Sequence, residues 1–275
     1  MRPLERELVV IDWDGDRYAD VSALQRMVAE VSIGDLELAG HERLLDVGCG
    51  DGFITMQLAQ RLPSGSVVGV DASRRMIEKA LTLVPAGPSR VPADLLRVQF
   101  HVDDALALPF ERDFDIAVSF NALHWIHDQP TALQGIARSL DDGGRAVIQI
   151  VCATDRPSIE DVAMEIAATS TWSRYFADFE PPYFHVEPDR FREFAEKAGF
   201  TVSDLAVQDL RWQFDSTDAF AQWFSVGATD WTHRLPASDV DQFVGDLIDR
   251  YQQVTGEPAV LRFSQLRASL ALAER

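Results

Sequence analysis

The residues of this chain with the most chemistry in them are Asp46, Gly48, Gly50 and Gly52, within Asp46-Val47-Gly48-Cys49-Gly50-Asp51-Gly52, and Asp71, nineteen residues past Gly52. Glycines at alternate positions let a turn take positive φ and let a ligand approach where a Cβ would block it. An acid about 20 residues downstream, at the tip of the next strand, suits a pair of ribose hydroxyls. The spacing G-x-G-x-G is tighter than the G-x-G-x-x-G that holds a pyrophosphate. The chemistry implied is capture of an adenosine that carries no phosphates.

Such a turn works only if a strand delivers it and a helix leaves it. Strand-like runs over 43–48, 66–70, 97–103, 114–120 and 145–152 alternate with helical runs over 53–62, 73–84 and 130–140. That alternation predicts an α/β fold with a parallel, doubly wound sheet and ligands at the carboxyl ends of its strands. Asp141-Asp142-Gly143-Gly144 is expected to end the third of these helices, a glycine taking the left-handed cap. Upstream, Tyr18, Val21, Leu24, Val28 and Val31 recur at spacings of three and four, giving one apolar helical face. After Cys152 the alternation breaks. Helices are expected over 158–180, 188–199, 216–227 and 238–255, and strands over 201–210 and 259–272. These last strands complete a seven-stranded sheet ending in an antiparallel pair.

Composition removes several classes of function. The 275 residues are 47% hydrophobic, enough for one domain with a sizeable core. No apolar run approaches the roughly 20 residues of a membrane span. The charged segment Met1-Arg2-Pro3-Leu4-Glu5-Arg6-Glu7 lacks the apolar stretch of a secretion signal, and the two cysteines, Cys49 and Cys152, form no framework. A reducing cytoplasm is the expected location. With 44 acids against 25 bases, a net charge of −19 and no basic run longer than two residues, nucleic acid is not the expected partner. His101, His127, His185 and His233 have no metal-ligand spacing, so no metal site is expected.

Asp46-Val47-Gly48-Cys49-Gly50-Asp51-Gly52 with Val68-Gly69-Val70-Asp71 resembles the S-adenosylmethionine site of class I methyltransferases. The resemblance implies a Rossmann-like, seven-stranded, mostly parallel sheet with helices on both faces. It implies S-adenosylmethionine as cofactor and S-adenosylhomocysteine as product. In such a site Asp46 sits near the methionine ammonium, Gly48, Cys49 and Gly50 form the turn, and Asp71 takes the ribose. The segment from Ala72 packs beside the adenine. In Asp103-Asp104-Ala105, followed by Leu108-Pro109-Phe110, Asp104 would take the adenine amino group and Ala105 the ring; Asp103 is the other candidate acid. A strand-end acid can equally cap the turn that follows it.

The fourth strand ends in Asn121-Ala122-Leu123-His124-Trp125, where the acceptor should meet the transferable methyl, with Asn121 at the cofactor. This segment, with Trp13-Asp14, Tyr18 and Ala23-Leu24-Gln25, is similar to trans-aconitate and juvenile hormone acid methyltransferases, which methylate carboxylates. Gln25 falls inside the apolar arc of its helix, where a primary amide must be paired. Backbone could satisfy it. The resemblance implies instead that Gln25 and the Trp125 indole both donate to the acceptor carboxylate. His124 could act as base for a phenol or alcohol, or be structural. Pro181-Pro182-Tyr183 is read as a turn.

The organisation implied is a single domain. Residues 1–40 form an N-terminal helical lid, 41–152 the S-adenosylmethionine-binding core, 153–187 and 213–257 cap elements, and 188–212 and 258–275 the closing helix and strands. Cap aromatics such as Trp172, Tyr175, Trp223 and Trp231 either line a greasy acceptor pocket or form core. Arg174 and Arg211 are the candidates for holding a second carboxylate. The expected function is O-methylation of an organic or fatty acid carboxylate. The alternatives are an O-, N- or C-methyltransferase of a natural-product pathway using His124, and a non-catalytic S-adenosylmethionine-binding subunit.

Overall fold

The computed structural model describes residues 23–84 and 97–272. Trp13, Asp14, Tyr18 and Val21 lie outside the described residues, as does the side chain of Gln25, whose backbone belongs to the first helix.

The elements in chain order are α1 (Ala23–Gly34), β1 (Arg43–Val47), α2 (Phe53–Gln60), β2 (Ser66–Asp71), α3 (Arg74–Leu81), β3 (Val98–Val102) and β4 (Phe114–Phe120). Then come α4 (Gln129–Ser139), β5 (Leu140–Val151), α5 (Ile159–Ala167), α6 (Pro188–Lys197), β6 (Phe200–Gln213), α7 (Thr217–Gly227), α8 (Thr229–Thr232), α9 (Val240–Thr255) and β7 (Val260–Leu272). The strands form one seven-stranded sheet in the order β3-β2-β1-β4-β5-β7-β6. β1 to β5 run parallel, and β7 is antiparallel to both β5 and β6. The expected α/β Rossmann-like sheet is therefore present, with its order reversing beside β1 and β4, where an open parallel sheet binds ligands.

Alternate residues of the central strands feed opposite cores. Leu44, Val67, Ile116 and Val118 pack with Ala29, Ile33, Leu58 and Ile77 of the helices on one face. Leu45, Val47, Ala117 and Ile148 pack with Leu133, Ile136, Phe191 and Ala195 on the other. Burial on both faces is why β1 and β4 read as nearly unbroken apolar runs. A third core joins Leu24 and Val28 of α1 to Val162, Trp172, Phe220, Phe243 and Tyr251, uniting α1, α5, α7 and α9 above the sheet.

Several sequence expectations are corrected. The helix expected over 158–180 stops at Ala167, where Thr169-Ser170-Thr171 follow and the Thr169 hydroxyl donates to the Ile166 carbonyl at 2.8 Å. Gly143, at φ 73°, does not cap α4, which ends at Ser139; it serves the irregular start of β5, where the pairing with β4 shifts register between Phe114 and Ile116. Val31 is not on the buried face of α1: it is 62% exposed, and Ala29, Ser32 and Ile33 are buried instead. β6 runs three residues beyond the expected 210, to Gln213. The turn α8 was not expected.

Candidate active site

The turn after β1 is held by backbone. The Gly48 and Cys49 amides both donate to the Val70 carbonyl, at 2.8 and 3.0 Å, tying the turn to the end of β2. Gly48, Gly50 and Gly52 all have positive φ, 76°, 53° and 78°. A Cβ on Gly48 would stand 2.1 Å from the Ala122 Cβ, because the end of β4 lies directly against the turn. A Cβ on Gly50 would meet nothing within 4 Å, so that backbone faces open space. This is a cradle that a side chain would fill, and it suits a flat ligand lying across the strand ends.

Asp71 organises the cradle from the neighbouring strand. Its Oδ2 accepts from the Gly50 amide at 2.9 Å and its Oδ1 from the Ser73 amide at 2.8 Å. Ala72 is exposed beside it, and Ser73 caps α3 by accepting from the Met76 amide at 3.2 Å. The Asp103 amide donates to the Asp71 carbonyl at 3.1 Å, which brings Asp104 and Ala105 to the same rim. Asp104 does cap the following turn, its Oδ1 accepting from the Leu106 amide at 2.9 Å. A carboxylate has further lone pairs, so that cap does not exhaust Asp104.

Asp46 and Cys49 lie beneath the turn. Asp46 is 2% exposed, and burial pushes its carboxyl up to about 7, the nearby Asp71 charge adding to the rise and the Thr55 hydroxyl, donating at 2.6 Å, opposing it. Burial likewise pushes the Cys49 thiol well above its usual value, so Cys49 packs as an inert residue.

Asn121 follows β4 with φ 57°, a left-handed conformation that Asn tolerates. Its amide donates to the Gln149 carbonyl at 2.8 Å, and its Oδ1 accepts from Gln265 Nε2 at 2.6 Å. His124 and Trp125 then turn into a cavity of about 850 Å³, counted out to its open mouth. Leu24 and Val28 of α1, Val151, Trp223, Trp231 and Phe263 wall it. His124 is buried, and desolvation holds its imidazole well below the usual histidine range, with His185 adding to the fall. Its Nδ1 has no partner among the described residues. The His185 ring is 5.9 Å from that of His124 and borders a second cavity beside Cys152 and Tyr183.

Gln25 stands on α1 directly after Leu24, so the helix that carries it also walls the acceptor cavity. Arg174 and Arg211 are not drawn into that cavity: Arg174 bonds the Tyr175 hydroxyl beside Asp239, and Arg211 pairs with Glu257 at 2.9 Å on the surface. Of the cap aromatics, Trp223, Phe224 and Trp231 line the cavity, while Trp172 and Phe176 pack on Phe243. Sequence reasoning passed over Gln149, Gln265 and Glu160. The first two are amides sealed in apolar strands, Ile148-Gln149-Ile150 and Gln265-Leu266, and the polar interruption of such runs was the available signal. Among the described residues no group of three or more His, Cys, Asp or Glu side chains is placed to hold a metal ion.

A methyltransferase-domain model matches residues 44–144, from β1 to the start of β5. Juvenile hormone acid O-methyltransferase of Bombyx mori is 27% identical over 242 residues, covering 81% of this chain and 82% of that one. Trans-aconitate 2-methyltransferase of Deinococcus radiodurans is 30% identical over 146 residues, covering 53% and 52%. The solved structure of YcgJ from Bacillus subtilis shares the fold, with a TM-score of 0.64, 20% identity and coverage of 91% of this chain and all of that one. The reversed β7, the glycine turn after β1 and the acid closing β2 define, with these matches, a class I S-adenosylmethionine-dependent methyltransferase. The chain belongs to that family, and S-adenosylmethionine is its cofactor. Among the described residues no helix is long and apolar enough to cross a membrane.

Proposed function

We propose that the chain methylates a carboxylate of a small organic or fatty acid, giving a methyl ester and S-adenosylhomocysteine. The carrying observation is that Ala122 touches Gly48 while Trp125, three residues later, lines a largely apolar cavity. On this reading acceptor and methyl donor lie on either side of one short segment. The juvenile hormone acid and trans-aconitate relatives support the choice of a carboxylate.

S-adenosylmethionine supplies a methyl group on a positively charged sulfur. The turn Gly48–Gly50 and Asn121 hold the methionine part, with Asp46 near its ammonium. Asp71 accepts from the ribose hydroxyls, and Ala72, Asp104 and Ala105 take the adenine. Trp125 and Gln25 donate to the acceptor carboxylate and aim an oxygen at the methyl carbon. A carboxylate is already ionised at pH 7, so proximity and exclusion of water are what the apolar walls must provide. The excess of acids over bases, 44 to 25, works against a nucleic acid acceptor.

The test is methyl-labelled cofactor with a panel of acids from short dicarboxylates to medium-chain fatty acids, followed by mild base. Methyl esters release labelled methanol; ethers, amines and C-methyl products do not. Label that resists base would sink the carboxylate reading. Gln25→Ala and Trp125→Phe are each expected to lower kcat/KM for the acid by about 10- to 100-fold, the weight of a hydrogen bond to a charged group, at nearly unchanged cofactor affinity. If both variants turn over normally, the clamp is wrong.

A second reading rests on His124. Held neutral, with an unpartnered Nδ1 and His185 beyond it, this imidazole can take a proton from a phenol, alcohol or amine. His124→Gln would then abolish turnover of that acceptor, whereas ester formation would survive it.

Asp46 gives a pH signature. Below about pH 4 both folded and unfolded chains carry the proton; between about 4 and 7 only the unfolded chain ionises freely, so stability falls with rising pH and levels off above 7. The full cost is about 4 kcal/mol at one pKa unit per 1.36 kcal/mol. Asp46→Asn should therefore melt higher than the parent at pH 8, not at pH 4, and bind S-adenosylmethionine more weakly at pH 8. A melting advantage that does not grow with pH would overturn this account.

A further inference from the structure

Glu160 introduces a carboxylate into the wall of the acceptor cavity, which Trp125, Trp223, Trp231 and Phe263 also line. Among the described residues that line that cavity there is no lysine or arginine. Glu160 itself makes no hydrogen bond or ion pair among the described residues. Its neighbours are committed elsewhere. The Tyr183 hydroxyl donates to Asp161 Oδ1 at 2.7 Å, and the Tyr251 hydroxyl donates to the Arg262 carbonyl at 2.7 Å. Arg156 and Arg262 both pair with Asp209, and Arg262 also reaches Glu257.

An acid in the first turn of a helix can be explained by the helix dipole. Here Asp161 already performs that service. It closes a capping box with Ser158, accepting from the Ser158 amide at 2.8 Å while its own amide donates to Ser158 Oγ at 3.0 Å. Glu160 is surplus to the cap. A carboxylate and several tryptophans lining one cavity is a composition that recognises an ammonium group. His124, the other ionisable group on the wall among the described residues, is held neutral by burial.

We propose that Glu160 forms an ammonium subsite in the acceptor cavity, so that the preferred acceptors carry a protonated or quaternary amine as well as the group that is methylated. This inference rests on the reading of the cavity as the acceptor site. It excludes dicarboxylates, whose second charge would face Glu160, and it assigns to this residue the choice between acceptors of equal length.

The experiment compares the parent enzyme with Glu160→Gln, which keeps the shape and removes the charge. Calorimetry on protein saturated with S-adenosylhomocysteine measures octylammonium against octanol. Labelled turnover measures ω-aminooctanoate against octanedioate. The parent should prefer octylammonium and ω-aminooctanoate by about tenfold or more, and Glu160→Gln should bring both ratios close to one. Unchanged cofactor affinity shows that the variant is folded. A parent that binds octylammonium no better than octanol, or a variant that keeps the parent's preference, overturns the subsite. Transfer of base-labile label to acids with ratios insensitive to Glu160 leaves carboxyl methylation standing alone. An octylammonium preference lost in Glu160→Gln, with no label on any acid, leaves the subsite standing and removes the carboxylate reading.

Discussion

Gly48→Ala and Gly50→Ala are expected to lose S-adenosylmethionine for different reasons, and the contrast tests the cradle. At Gly48 the new methyl would lie 2.1 Å from the Ala122 Cβ, about half an ordinary contact distance, with φ at 76°. Relief requires moving Ala122, and with it Asn121 and His124. Overpacking of this kind costs about 1–3 kcal/mol, and a left-handed alanine costs roughly 1 kcal/mol more. Gly48→Ala should therefore both melt several degrees lower and bind cofactor at least about a hundredfold more weakly. At Gly50 nothing lies within 4 Å, so only the left-handed penalty applies to the free protein. Gly50→Ala should melt nearly normally yet bind S-adenosylmethionine poorly, because its methyl enters the space the ligand occupies. Calorimetric affinity and melting temperature together read both. Parent-like affinity in Gly50→Ala would move the cofactor elsewhere.

Asp71→Ala should be nearly as damaging. Removing the carboxylate frees the Gly50 and Ser73 amides, loosening the turn and the start of α3 together. Hydrogen bonds to a charged group are worth about 1.5–3 kcal/mol each, and the proposed ribose contact belongs to the same class. A loss of about a hundred- to a thousandfold in S-adenosylhomocysteine affinity is expected. The ribose role can be separated from the structural one with the 2′-deoxy analogue. The parent should discriminate against it, and Asp71→Ala should not. Continued discrimination in the variant would place the ribose acceptor on another residue.

The cofactor half of the site was legible in the sequence because it is built from contiguous pieces. Gly48, Gly50, Asp71 and Asp104 each lie at or just past the carboxyl end of a strand, and strand ends of a parallel sheet converge by topology alone. The sheet itself was readable from alternation, including the antiparallel last pair. The helix over 158–180 was overextended because aromatics continued the apolar pattern past Ala167, while the Thr-Ser-Thr run that stops it is a local effect. Asp141-Asp142-Gly143-Gly144 reads as a helix end because a bulge and a cap ask the same φ of a glycine. The acceptor half was less legible because its walls come from α1, the turn after β4, β5, α5, α7, α8 and β7. Glu160 looked like any acid at a helix start, and only the cavity distinguishes it from Asp161.

The closing pair β6 and β7 outruns the sheet. Along β7, residues 265–271 pair with β5 on one side, whereas 260–264 pair with β6 alone. The Phe214 amide donates to the Ala259 carbonyl at 2.9 Å where the two strands part, so the ends of everything between them are adjacent. A segment whose ends are already joined can be lengthened at a cost that grows only logarithmically with its length. The stretch between Phe214 and Ala259 includes α7 and α8, which contribute Trp223 and Trp231 to the acceptor wall. It is thus a cassette on a two-stranded stem: a graft exchanged there can redesign what the enzyme accepts while the glycine turn on β1, three strands away from β7, keeps its register.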